Sequence, residues 1–99
     1  MALSPSVVKL LLEITGSSDL NVAVKEISKD AIEHRLEKIE SEIRKFEEKY
    51  GMTFEEFKRA WEKGEIENKH SYEVERDFWE WEGLMSRKKK LEEVLKWLE

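Results

Sequence analysis

Apolar residues recur along this chain with the period of a helix, nowhere with the period of a strand. The clearest run is Ile32, Leu36, Ile39, Ile43, Phe46 and Tyr50, spaced 4-3-4-3-4, a heptad seam that predicts a long helix over about 18–50. Ser18 or Asp19 begins it, and Gly51 stands at the C′ position. Traced backwards the seam reaches Lys29 and Lys25, while Val24, Ile27 and Ala31 occupy the adjacent stripe. The apolar face therefore shifts near Ala31, where the helix either bends or changes partners.

Three further helices follow from the same pattern. Ser4 as N-cap, Pro5 at N1 and Gly16 beyond the end frame a helix over 5–15. Val7, Val8, Leu10, Leu11, Leu12 and Ile14 make it apolar on most sides, and such a helix needs cover all round. Thr53 and Glu56 form a capping box, with Met52 and Phe57 as a hydrophobic staple, so a short helix runs over 54–63 until Gly64 stops it. Phe54, Phe57 and Trp61 fall on one side of it. Glu65–His70 is a polar connection. The last helix spans 71–98, with a stripe of Val74, Phe78, Trp81, Leu84, Met85, Leu91, Leu95 and Leu98, which Lys88 interrupts by snorkelling.

The expected fold is all-α. The helices over 18–50 and 71–98 form a long antiparallel hairpin, the 54–63 helix bridges one end, and the N-terminal helix is expected to be covered by a neighbouring subunit, all within an oligomeric bundle. Ninety-nine residues make a single domain, 1–99, with an N-terminal association segment (1–30) and the hairpin (31–99). So thin a core predicts oligomerisation. Val8, Leu11, Leu12, Ile32, Leu36, Ile39 and Ile43 are the residues expected to mediate self-association, as a homodimer or tetramer.

The segment SYEVERDFWEWE (71–82) concentrates aromatics and acids. Trp79 and Trp81 lie two apart, about 200° round a helix, and so cannot share a face. One enters the chain's own core and the other needs a second place to be buried. Trp79 lies off the main stripe, one turn before Gly83. A mid-helix glycine costs about 1 kcal/mol relative to alanine, which suits the close approach of another chain. Trp79 and Gly83 are therefore expected to touch a partner, against the plainer reading that Trp79 packs on helix 54–63 or 5–15 of its own chain.

Charge refines this picture. The net charge is −5, which speaks against nucleic acid and for a basic partner. Ser71–Met85 carries five acids and one Arg, for −4, and Ser86–Glu99 carries five bases and three acids, for +2. The two halves could complement each other in an isologous antiparallel dimer. Arg87–Lys90 is a basic run followed at once by Glu92 and Glu93, so it reads as a solvated or intersubunit salt-bridge face. A helix-turn-helix reading of 7–31 fails for want of positive charge, with Lys25 and Lys29 set against Asp19, Glu26 and Asp30.

Catalysis finds little support. Glu73, Asp77 and Glu80 share a helix face, but acid–base work also needs a cleft and a second group. Glu67–His70 is a single Glu-x-x-His pair in a loop, whereas di-metal bundles use two on helices. There is no Cys, hence no thiolate ligand or nucleophile. No enzyme activity, cofactor or metal is expected. With no apolar run of membrane-spanning length and no signal peptide, the cytoplasm is the expected compartment and a membrane is not a partner. Abundant Lys and Glu, no Gln, and Asn only at 21 and 68 suit a thermophile.

FEEKYGMTFEEFKRAWEKGEI (46–66) and SYEVERDFWEWEGLMSRKKKLEEVL (71–95) together resemble the small helical antitoxin-like proteins of archaea and cyanobacteria that partner TumE-like toxins. The resemblance covers about half the chain and implies neutralisation of a small basic toxin. On that reading Tyr72, Phe78, Trp79 and Trp81 anchor the toxin, while Glu73, Asp77 and Glu80 steer it. The chain lacks the DNA-binding domain or disordered tail common among antitoxins. The alternative is a self-associating structural helical-bundle protein with no foreign partner.

Overall fold

The computed structural model describes residues 3–99. Four helices follow in order: α1 (Pro5–Thr15), α2 (Leu20–Tyr50), α3 (Phe54–Glu62) and α4 (Tyr72–Leu98). The all-α expectation holds, with each boundary within two residues of the predicted one.

Local chemistry sets the helix starts. The side chains of Ser4, Asp19, Thr53 and Ser71 each accept a hydrogen bond from a backbone N–H of the first turn, satisfying donors that a helix leaves free. At α3 the box is reciprocal. The Glu56 carboxylate accepts from the Thr53 N–H at 2.9 Å and the Glu56 N–H donates to Thr53 Oγ1 at 3.3 Å. The bond from the Thr53 backbone holds the Glu56 carboxyl below the usual carboxylate range. Gly16 and Gly51 end α1 and α2 at φ 69° and 67°, a left-handed backbone that favours glycine.

Helix α2 is continuous through Ala31. Its N-terminal part meets α1, and its heptad seam meets α4, which runs antiparallel to it. Lys49 pairs with Glu73 and Asp77 near one end of this hairpin, and Val24, Ser28 and Leu98 line one groove near the other. The molecule is a rod of 57 × 23 × 22 Å.

The core sits at the end where α3 bridges the hairpin. Ile43, Phe54, Phe57, Phe78, Trp81 and Leu84 are buried there, with Phe46, Tyr50, Met52, Trp61 and Ile66 packed against them. Trp81 and Phe57 are fully enclosed. Trp81 stacks on Phe46 at 5.5 Å and meets Phe57 at 5.2 Å and Phe54 at 5.4 Å, centroid to centroid, within the favourable range for aromatic pairs. The 65–70 connection is less polar in effect than its composition suggests, because Ile66 joins the core and Lys69 lies over the Trp61 ring at 5.2 Å.

Of the residues expected to mediate self-association, Leu36 and Ile43 are taken up by the protomer's own core, and the other five are partly covered by it. Leu36 and Ile43 are buried, because the heptad seam closes on α4 of the same chain, and Ile32 and Ile39 are half-buried beside them. Val8, Leu11 and Leu12 are half-buried on α1, whose packing partner is α2. The stripe that α1 leaves open is Leu3, Val7, Leu10 and Ile14, with Leu10 55% and Ile14 74% exposed.

Candidate functional site

Helix α4 places its 27 residues on two opposed faces. The inner face holds Phe78, Trp81 and Leu84 against α2 and α3. The outer face carries Tyr72, Arg76, Trp79, Gly83, Ser86, Lys90, Glu93 and Trp97. Of these only Gly83 is even half-buried.

The pair Trp79 and Trp81 splits as their spacing requires. Trp81 is fully buried and Trp79 is 64% exposed, touching only the edge of the Phe78 ring among its aromatic neighbours. Tyr72 is 78% exposed, and Arg76 lies over its ring at 5.7 Å.

Three of the residues expected to bind a partner do not reach the surface. Phe78 and Trp81 are core side chains, because the aromatic cluster of α2 and α3 needs both to fill the bridged end of the hairpin. Asp77 is 3% exposed. Its Oδ2 accepts from Lys49 Nζ at 2.6 Å and from the Tyr50 hydroxyl at 2.5 Å. It is therefore a cross-hairpin tie and cannot steer a partner. Lys49 also donates to Glu73 at 2.7 Å, leaving Glu73 exposed but engaged. Glu80 is exposed and lies 3.9 Å from Arg76.

This tie has electrostatic consequences. Hydrogen bonds to Asp77 and then Glu73 hold the Lys49 ammonium well above the usual lysine range, against a smaller opposing effect of burial. Burial, followed by the bond to Asp77, pushes the Tyr50 phenol up to about 12. Both shifts belong to one structural cluster that ties α2 to α4.

Gly83 has no internal justification. A Cβ built at this position would meet nothing within 4 Å, so none of the described residues needs the close approach that a mid-helix glycine allows.

The basic half of α4 contributes a second surface. A groove of about 400 Å³ between α2 and α4 is floored by Ile39, Leu91 and Val94 and edged by Arg35, Arg87 and Lys90. Trp97, 84% exposed, and Val94, 43% exposed, lie at the far end of the helix. Reasoning from the sequence missed Trp97 as a surface aromatic. Its signal is present, since it falls on the same side of α4 as Trp79, five turns on.

Among the described residues no group of three or more His, Asp or Glu side chains is placed to hold a metal ion. His70 is well exposed, with Nδ1 3.7 Å from Glu75. No helix among these residues is long and apolar enough to cross a membrane.

The chain belongs to the Uncharacterized protein MJ0235 family, whose model matches residues 7–99. No curated protein and no solved structure matches the chain.

Proposed function

We propose that this protein is a non-catalytic protein–protein association module that works through the outward face of α4. One observation carries the reading: Tyr72, Trp79 and Trp97 are all largely exposed along one side of a single helix. Three large aromatics left in water on one stripe are costly unless another surface covers them, and Trp and Tyr are the side chains on which interfaces rely most. The carboxylates with clear structural roles, Asp77 and Glu56, tie the hairpin and cap α3.

A second reading, neutralisation of a small basic toxin, is favoured by the charge of the 71–85 half, −4 from five acids and one Arg. In its structural form it rests on Tyr72, Trp79 and Glu80, since Phe78, Trp81 and Asp77 are inside.

A photo-crosslinking residue in place of Trp79 tests the general reading. A protein–protein adduct from position 79, absent when the same residue replaces the exposed Glu37 on α2, is the expected result. No adduct from position 79, in cells or in purified protein, overturns the use of this face. An adduct with the product of a neighbouring basic reading frame favours the toxin reading.

A further inference from the structure

The outward face of α4 is self-complementary. Its seam runs Tyr72, Arg76, Trp79, Gly83, Ser86, Lys90, Glu93, Trp97, with alternating steps of four and three, the heptad spacing of an antiparallel coiled-coil contact. The seam is symmetric about the Leu84–Met85 peptide bond. Turned about a two-fold axis there, each residue meets a chemical complement. Tyr72 faces Trp97 of the other copy, Arg76 faces Glu93, Trp79 faces Lys90, and Gly83 faces Ser86.

These layers are an aromatic pair, an ion pair, a cation over an indole, and two small residues that let the backbones approach. Of the four pairs beside the seam three follow the same rule, Glu73 and Val94 being the exception. In an antiparallel pair each flanking residue lies on the same side as its equivalent from the other copy, offset by about half a turn. Glu80 then neighbours Arg87, Glu82 neighbours Lys89, and Glu75 neighbours Lys96. Each of these contacts joins opposite charges, and each occurs twice.

From this we infer that the partner of α4 is a second copy of the chain, docked antiparallel about a two-fold axis at Leu84–Met85. The inference rests on the reading of this face as an association surface and names what covers it. The geometry answers two features that the protomer leaves unexplained. Gly83, with no neighbour within 4 Å for a Cβ, lies at the centre, where the helices come closest. Trp79 and Trp97, 64% and 84% exposed, lie over Lys90 and Tyr72 of the other copy. From their exposures the three aromatics offer roughly 500 Å² per copy, over half of the ~800 Å² that each partner gives to a standard interface. The inner face, closed by α2 and α3, takes no part.

Charge exchange tests this pairing. One variant carries Glu75→Lys and Glu80→Lys, and the other carries Arg87→Glu and Lys96→Glu. Each alone sets like charges against each other at four places in the dimer. In an equimolar mixture every one of those contacts is again between opposite charges. Sedimentation velocity is expected to show wild-type dimers, each variant alone dissociating at least about tenfold more readily, and dimers restored on mixing. Circular dichroism of each variant confirms that the fold is kept. A monomeric wild type at high micromolar concentration overturns the inference, as does a variant that dimerises alone as well as wild type, or a mixture that regains nothing. If the wild type is monomeric but position 79 still cross-links to a foreign protein, the association reading stands and the two-fold pairing falls.

Discussion

Asp77 shows how one residue changes meaning once the fold is known. It lies among exposed acids in sequence, yet at 3% exposure it is the buried charged residue of the core region. A buried carboxylate is stable only when it is hydrogen-bonded, and here Lys49 and Tyr50 both donate to Asp77 Oδ2 from across the hairpin. The Lys49 side chain is 42% exposed, so water screens part of its attraction. Asp77→Ala is expected to cost about 1–3 kcal/mol, measured by urea denaturation. A loss below about 0.5 kcal/mol, the range of ordinary surface changes, would show the tie to be incidental. The same cluster sets an alkaline limit. Lys49 and Tyr50 both bind their protons more tightly in the folded chain than in the unfolded one. Their contribution is complete below the unfolded pKa values near 10 and is lost as pH rises through the folded ones. Stability is therefore expected to fall from about pH 10 toward 12, and Tyr50→Phe is expected to flatten part of that fall. In a Tyr72→Phe background the remaining phenol should ionise at about 12, read by ultraviolet absorbance; ionisation near 10 would place Tyr50 outside the cluster.

The helices themselves were largely legible, because their signals are local. Ser4, Asp19, and Thr53 with Glu56 mark starts, and Gly51 and Gly64 mark stops, each acting within about one turn. What periodicity could not assign was which partner each apolar stripe meets. The seam Ile32–Tyr50 reads equally well as a hairpin contact or an intersubunit one, and α4 of the same chain claims it only because the connection through α3 brings it there. Periodicity put Phe78 and Trp81 on the apolar stripe of α4, and only the antitoxin resemblance turned them toward a partner; they are buried by aromatics of α2 and α3 more than twenty residues away in sequence, at Phe46, Tyr50, Phe54 and Phe57. Helix α1 marks the other limit. Its composition demands cover, yet it has no buried residue and packs on α2. An element held by so few buried contacts opens at low cost. Hydrogen exchange is expected to be much faster in α1 than in the 36–50 and 74–85 segments. Equal protection would mean that another surface covers Leu10 and Ile14.

At the scale of the whole molecule, electrostatics and apolar exposure point to different surfaces of the rod. The stripe of Leu3, Val7, Leu10 and Ile14 is almost uncharged and lies on α1 and the residues just before it. The outward face of α4 mixes aromatics with an acidic half and a basic half. Two copies carrying −5 each repel as whole bodies, so attraction must come from charges close enough to act locally. The two-fold pairing about Leu84–Met85 provides that, with acidic half over basic half. Exposed ion pairs weaken as salt shortens the screening length, from ~10 Å at 0.1 M to ~3 Å at 1 M. The aromatic layers are insensitive to this. The dimer is therefore expected to weaken by roughly tenfold across that range without vanishing, while helicity stays constant. A dimer held by the apolar stripe of α1 would behave oppositely. Its contact is hydrophobic, and its strength would hold or rise with a salting-out anion such as sulfate. Sedimentation equilibrium in sodium chloride and then in sodium sulfate separates the two. Weakening in chloride assigns the contact to α4, and strengthening in both assigns it to α1.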